Sequence, residues 1–528
     1  MAFYLSPGVY VREKDISGII PNISSTSAAI VGYSAKGNVD NTILVTNTQQ
    51  FIEEYGEPVV GQYFHYSALA FLANGNTLYC KRVHNGALYG GVKVISDGGT
   101  GNTEGLAAGF STPTFQVNSA EDILFYVFAK DPGTWNNSLK ITIENIDVTE
   151  LTFDIAVYST DVDGNVSKVE SWTVSRQEKL DGFGRQLYLE TRINGYSKYI
   201  VVADSTIVNT TLPGEAATAV AVTGGTNGNA TTSSEIVAGW DAFLNPDEVD
   251  VRILINAGEA SVEVHGKMKD ICESRRDCFA VLDLPYSAIS SVTNMVDWRN
   301  TVQNINSNYV GLYAAWAKAY DSFNDKIVEL PPSGYVASMY AYNDYISDPW
   351  NAPAGFNRGI LSVLGFTSIF TQGERDTLYS AQINPLQTFR GEGNVIWGQK
   401  TQQVKASALD RINVRRSLIV IEKSIAAQLR SYAFEPNNEI TRFRVTATIE
   451  EYLDRLSARG AFQTELGDKG YRVICDTTNN TPAVIDANEL HIDVFLKPVR
   501  SAEYIQLQTI ITTTATSFEE LISRGLLF

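Results

Sequence analysis

Val251-Arg252-Ile253-Leu254-Ile255 opens the stretch that decides the fold. A short run of this composition, bounded by polar and turn residues, has the length and make-up of a buried strand. Ser261 to Arg276 follows with helical spacing, Cys278 to Leu284 is a nearly all-apolar strand, Ser291 to Ile305 is a second helix, and Tyr309 to Ala315 is a third strand. Strands alternating with helices of this length are joined by right-handed crossovers, so a parallel sheet covered on both faces is expected. Such sheets often bind ligands beyond the carboxyl ends of their strands, which draws attention to Asp283, Tyr286, Ser287 and Asp321. None of the four histidines, His65, His84, His265 and His491, stands in a serine-hydrolase motif, and there is no Gly-x-Ser-x-Gly elbow. The residues offer no catalytic constellation.

Working outward toward the N-terminus, Ser27 to Val83 has the same character. Ala28-Ala29-Ile30-Val31-Gly32 and Leu78 to Val83 read as strands, and Thr48 to Tyr55 and Tyr63 to Leu72 as helices. Between the two α/β stretches, Gly86 to Ser233 is rich in Gly, Thr, Ser and Asn, with short alternating runs at Ile141–Ile146, Thr152–Tyr158 and Gln186–Glu190. That pattern predicts an all-β barrel or sandwich inserted into the α/β part. Asp161-Val162-Asp163-Gly164-Asn165 carries its glycine in the fourth place, not the sixth that a calcium loop requires, and reads as an Asp-Gly hairpin turn. Gly98-Gly99-Thr100-Gly101 and Gly224-Gly225-Thr226-Asn227-Gly228 lack the Lys-Ser/Thr ending of a phosphate loop and read as flexible boundaries.

Toward the C-terminus, Val395-Ile396-Trp397 reads as the opening strand of a further α/β unit. Ser417 to Ser431 spaces Leu418, Ile421, Ile425 and Leu429 as an amphipathic helix, and Thr446 to Arg459 does so with Ile449, Tyr452, Leu453 and Leu456 before Gly460. Tyr471 to Cys475 is a strand; in a second, Leu490, Ile492, Val494 and Leu496 point one way and His491, Asp493 and Phe495 the other, until Pro498. Beyond it lie a β-prone run from Glu503 to Thr512, a Thr-rich connector to Thr516 and a short helix start at Ser517-Phe518-Glu519-Glu520. The other end carries a Pro7-Gly8 turn, a short strand with Val9 and Val11 against Tyr10 and Arg12, and a linker from Gly18 to Ser25. The chain therefore has a strand-like arm at each end, centred on Val9, Tyr10, Val11 and Arg12 and on Tyr504, Ile505, Gln506, Leu507 and Ile510. The residues alone leave open whether these arms pair within their own subunit or with another molecule.

Composition sets the outer bounds. With 528 residues and 44% hydrophobic content the chain can bury several cores. Its formal net charge of -18 argues against a nucleic-acid-coating role, which needs clustered Lys and Arg. Cys80, Cys272, Cys278 and Cys475 have no zinc-finger spacing and read as reduced, buried thiols in a protein made in the cytoplasm. No basic-then-apolar leader follows Met1, and no apolar run approaches the about 18 residues of a membrane span, so neither secretion by that route nor membrane anchoring is expected. No pattern calls for a metal or a cofactor. The fold class is multidomain α/β: core domains with a parallel or mixed sheet, an inserted all-β domain, and extended N- and C-terminal strand arms.

Several short motifs then occur in an informative order. They are Pro331-Pro332-Ser333-Gly334, Trp350-Asn351-Ala352-Pro353-Ala354-Gly355, Trp397-Gly398-Gln399-Lys400-Thr401, Asn413-Val414-Arg415-Arg416, Phe434-Glu435-Pro436-Asn437, Asp476-Thr477-Thr478-Asn479-Asn480 and Pro498-Val499-Arg500-Ser501-Ala502-Glu503. In order and spacing they resemble the contractile phage tail sheath proteins, as do Leu5-Ser6-Pro7-Gly8-Val9 near the start and Phe51-Ile52-Glu53-Glu54-Tyr55-Gly56. The resemblance covers everything but the inserted β region, which is read from composition alone.

The resemblance implies a non-enzymatic virion subunit, made and assembled in the bacterial host cytoplasm, that polymerises as stacked sixfold rings around a tail tube. Its partners would be itself, the tube protein, the baseplate and the tail terminator, with the terminal arms linking neighbouring subunits. It implies a division into residues 1–24 (N-terminal linking arm), 25–85 plus 236–385 (α/β middle domain), 86–235 (inserted outward-facing β domain), 386–502 (C-terminal α/β domain against the tube) and 503–528 (C-terminal linking arm). On the polar face of the Thr446–Arg459 helix, Glu450, Glu451, Asp454, Arg455 and Arg459 are candidate tube contacts. Arg411, Arg415 and Arg416 are candidate contacts to acidic neighbouring subunits. Two rivals stand beside this reading: the sheath of a headless contractile injection system, and an enzyme or carbohydrate-binding module built on the β region.

Overall fold

A computed structural model of the chain describes residues 25–95, 102–115, 123–161, 163–205, 211–504 and 506. Its centre is a nine-stranded sheet in the order Ile360–Leu361, Gly393–Ile396, Ile383–Phe389, Val310–Ala314, Phe279–Asp283, Ile253–Ile255, Ala28–Tyr33, Leu78–Val83, Ile43–Val45. The run from Ile383–Phe389 to Leu78–Val83 is parallel throughout, and antiparallel strands close both edges. Phe279–Asp283 and Val310–Ala314 are buried at every position, as strands covered on both faces must be. The helices Tyr63–Leu72 and Ser333–Ile346 pack together over one face, and Ser233–Trp240 and Val262–Arg275 pack together over the other. The α/β rhythm read from residues 251–321 is thus the middle of this sheet.

The strand Val395-Ile396-Trp397 does not open a C-terminal unit. Residues Gly393–Ile396 form a hairpin with Ile383–Phe389, Leu386 opposite Ile396 and Phe389 opposite Gly393, and so extend the central sheet. The expected boundary at residue 386 therefore falls inside a strand of that sheet. Its apolar residues fit either sheet, and only the partner strand decides which one they join.

The inserted region forms two four-stranded antiparallel sheets. One is ordered Ile200–Asp204, Ile123–Ala129, Gly91–Ile95, Asn102–Gly105, and the other Ala216–Ala221, Leu139–Asp147, Thr152–Thr160, Val166–Val174. Val92, Phe125, Val127 and Val202 of the first share a core with Ile141, Ile143, Phe153, Ile155 and Val157 of the second. The Asp161–Asn165 loop is the expected tight turn: Asp161 Oδ1 accepts from the Asp163 and Asn165 amides (3.0 and 2.8 Å), and Gly164 has φ +86°. The Gly224–Gly228 stretch is not the flexible boundary its composition suggested. The entering and leaving chains pair across it, Leu88 N to Thr226 O and Asn229 N to Asn85 O at 2.9 and 2.7 Å, and a Cβ on Gly228 would lie 2.2 Å from Asn85 O. Glycine serves close backbone approach here. The other glycine run, residues 98–101, lies outside the described residues.

The C-terminal unit has helices Ile412–Leu429 and Glu439–Ala458 over a hairpin of Tyr471–Ile474 and Asp493–Leu496. Both helices begin earlier than their apolar stripes indicated. The second is started by Asn438, whose side chain accepts the Thr441 amide at 2.9 Å, a cap that lies outside the stripe. The core joins Ile421, Ile425, Val445, Ile449, Tyr452, Leu453 and Leu456 to Val473, with Leu490, Ile492, Val494 and Leu496 packed against it, as their alternation requires. Trp350 enters from the central part of the chain.

Candidate subunit interface

The hairpin of Tyr471–Ile474 and Asp493–Leu496 is a half-exposed element. Val473 and Val494 face each other and turn toward the core, while Arg472, Asp493 and Phe495 are exposed. Among the described residues, neither strand has a second partner, so the sheet has two open edges. Unpaired main-chain donors and acceptors along an edge are a template for a further strand. The expected arm residues Val9, Tyr10, Val11, Arg12, Ile505, Leu507 and Ile510 lie outside the described residues, as does the run to Glu520; Tyr504 and Gln506 are exposed.

The motifs meet in polar latches that hold this unit in place. Asn437 donates to Asn480 Oδ1 (3.3 Å) and to Glu489 O (2.7 Å), while Asn480, almost wholly buried, donates to His491 O and accepts from His491 N, both at 2.9 Å. The helix-to-helix loop thereby fixes the approach to the hairpin. Asn413 donates to Trp350 O at 2.8 Å, tying the first helix to the Trp350-Asn351-Ala352 connector. Glu503 accepts from Arg411 Nε (2.7 Å), Gln399 Nε2 (3.0 Å) and Tyr379 Oη (2.9 Å). Burial, and then Glu503 itself, push the Tyr379 hydroxyl well above its usual pKa. The Pro331-Pro332-Ser333-Gly334 motif is latched as well: Asp283 accepts from Ser333 N, Ser333 Oγ and Gly258 N at 2.8, 2.6 and 2.9 Å.

A charged seam runs beside these latches. Arg416, Lys423 and Arg430, seven residues apart and so on one side of the first helix, meet Asp344, then Asp277 and Asp250, then Asp247 of the central part. Arg416 forks onto both oxygens of Asp344 at 3.1 and 2.6 Å and lies 4.6 Å over the Tyr340 ring, with both charges buried. Arg430 and Asp247 are 3.6 Å apart and largely exposed. Burial works against the charge on Asp277, but bonds from Arg275 and Lys423 hold its carboxyl below the usual range.

Residues 229–402 match the family model described as the phage tail sheath protein central domain, and residues 404–512 match the phage tail sheath C-terminal domain. The chain belongs to the phage tail sheath family. It is 34% identical over 321 residues to the tail sheath protein of Enterobacteria phage T4, covering 57% of this chain and 48% of that one. To the tail sheath protein of Vibrio phage KVP40 it is 32% identical over 324 residues, 57% of this chain and 47% of that one. The chain spans about half the length of these curated relatives. Two solved structures share its fold: a sheath tail protein from Listeria innocua (TM-score 0.57, 12% identity, 91% of this chain and 97% of that one) and the PVC sheath of an extracellular contractile injection system in its contracted state (0.56, 18%, 97% and 98%).

On this sheath chain the expected charge contacts separate into two groups. Arg415 and Arg416 turn inward: Arg415 pairs with Glu422 at 3.0 Å and covers the Tyr309 ring, and Arg416 is enclosed with Asp344. Neither offers a neighbouring subunit much surface, because a helix stripe alone does not say which side faces the body. Arg411 is half-buried against Glu503 and Asp410. On the second helix, Glu451 pairs with Arg455, Asp454 with Lys469, and Arg459 with Asp348 beside Trp350, while Glu450 is exposed. Sequence reasoning missed the apolar face of the first turns, Ile440 and Phe443, 65% and 73% exposed, and Phe434 before them, fully exposed with φ +72°. Their three-residue spacing, set off from the Val445–Leu456 stripe, was the available signal. The four cysteines are free and buried. No described helix is long and apolar enough to cross a membrane.

Proposed function

We propose that this chain is the structural sheath subunit of a contractile phage tail. It polymerises around a tail tube in a metastable extended state, its subunits linked by exchanged terminal strands, and contracts to drive the tube through the host envelope. The observation that carries this reading is the two-stranded hairpin whose strands have no second partner among the described residues, in a chain whose two ends each supply a strand-prone segment. Each main-chain bond to a donated strand is worth about 0.5 to 1.5 kcal/mol net, so a few residues on each edge give a firm link. Head-to-tail donation does not close a dimer; it propagates as stacked rings or a helix. The energy of contraction is stored at assembly and released when one set of body contacts is exchanged for a more stable one, which requires no nucleotide.

In this reading the tube, the baseplate and the terminator are the partners, and the C-terminal unit faces the tube. Of the charges proposed there, Glu450 and Glu451 are the least engaged by the body, and Asp454, Arg455 and Arg459 contribute through their pairs. A phage tail and a headless injection device differ little at the level of one subunit: the likeness to the PVC sheath spans 97% of the chain, while the identity to the phage proteins favours the phage. The test is electron microscopy and sedimentation of the purified chain beside one lacking Met1 to Asn22. Hollow tubes or rings from the full chain and monomers from the shortened one are expected. Two monomeric species under all conditions would mean that the arms fold back on their own subunit, and the proposal would fall.

A further inference from the structure

The last well-held side chain before the C-terminal run is Glu503, and it does not bind the hairpin the chain has just left. The chain leaves that hairpin at Leu496, and Val499 N still bonds Ala461 O at 3.2 Å. Four residues later the Glu503 carboxylate is gripped by three donors from three separate places. Tyr379 lies in the Gln372–Ser380 helix, Gln399 follows the Gly393–Ile396 strand, and Arg411 immediately precedes the Ile412–Leu429 helix. Lys400 braces the first of these donors, standing 4.3 Å over the Tyr379 ring while donating to Tyr379 O at 2.9 Å. The Glu503 side chain is 17% exposed, whereas the next residue, Tyr504, is 80% exposed.

The backbone around Glu503 is otherwise poorly supported. Hollows of 340 and 420 Å³ flank Ser501–Tyr504, one toward Trp397 and Arg375 and the other toward Asp410 and Val414. Apart from Glu503, the segment's described side-chain tie is Asn413 Nδ2 to Ser501 Oγ at 3.5 Å. One carboxylate with charge-assisted bonds therefore fixes this stretch, since such bonds are about twice as strong as neutral ones.

We infer that Glu503 is the fixed root of the C-terminal arm. It fastens the outgoing chain to the central sheet of its own subunit, so that a pull on the arm reaches the Ile383–Phe389 side of that sheet and not the marginal two-stranded hairpin. This role rests on the proposed strand exchange; the clamp itself does not. Gln399 and Glu503 belong to two of the motifs that identify the family, and the clamp gives that pairing a mechanical reason.

The experiment compares the full-length wild type with Glu503→Ala and Glu503→Gln by limited tryptic cleavage after Arg500, thermal unfolding and the fraction of tubes that still sediments after dilution and shear. In Glu503→Ala, cleavage after Arg500 is expected to run about tenfold faster or more while the body unfolds at an essentially unchanged temperature. Tubes from that variant are expected to break down several-fold faster, with Glu503→Gln in between because its amide oxygen still accepts. Unchanged cleavage in Glu503→Ala would overturn the clamp. Faster cleavage with tubes as durable as wild type would overturn the root. If the wild type forms no tubes, the sheath reading and the force-transmitting role fall together, and the cleavage result still decides the clamp.

Discussion

Asp283 illustrates how a residue in the expected place for chemistry is claimed by the fold. It ends a parallel strand, where doubly wound sheets often place their ligands, yet it is fully buried and serves as the cap of another helix. Ser333–Ile346 is preceded by Pro332, which has no capping side chain, and Asp283 takes the first amide instead. Burial pushes its carboxyl up to about 7, against the pull of the three donors. Because the folded value lies above the ordinary 3.8, this group favours the folded chain fully below about pH 4 and loses that contribution as pH rises to about 7. The stability of wild type relative to Asp283→Asn, followed from about pH 5 to about pH 8, should therefore fall as pH rises. A difference that does not change with pH would mean that the carboxyl is ionised throughout.

At the scale of elements, the Ile412–Leu429 helix is fastened unevenly. Arg416 and Asp344 are buried together, so truncating one leaves an uncompensated charge, a loss of about 3 to 5 kcal/mol. At the far end Arg430 and Asp247 are exposed and screened, where such pairs are worth about 0 to 1 kcal/mol. Denaturant unfolding of Arg416→Ala and Arg430→Ala should reproduce this gradient, with a large shift for the first and almost none for the second. Equal shifts would show that the seam acts as one rigid unit. The stripe of cations was visible in the sequence as a seven-residue repeat, but the aspartates that meet it come from residues 247 to 344 and follow no repeat. That is why Arg416 read as a contact to a neighbouring subunit.

For the whole molecule, a formal charge of -18 sets a repulsion that any assembly must overcome. Of the three seam cations, Arg416 and Lys423 are committed to the body's own aspartates and Arg430 stays exposed, so the seam offsets little of it. Assembly of the purified chain, followed by light scattering, should accelerate as ionic strength rises from about 0.02 to about 0.2 M, where the screening length falls below about 10 Å. Slower assembly at higher salt would mean that attractive charge pairs between subunits dominate.

The sequence by itself determined the local periods and the family. Apolar runs separated by helical spacing fixed the α/β character of residues 251–321, alternation fixed the inward set of Leu490, Ile492, Val494 and Leu496, and the ordered motifs carried the family resemblance. Only the tertiary structure decided which distant segments meet: Glu503 with Gln399, Asn480 with Asn437, Asn413 with Trp350, Asp283 with Ser333. It also moved Gly393–Ile396 into the central sheet and turned the Gly224–Gly228 run into a close crossing. The physical reason is one of range. Periodicity and capping act over a few residues and leave a pattern in the chain, whereas a strand's partner or a buried carboxylate's donors are chosen by packing between segments up to hundreds of residues apart.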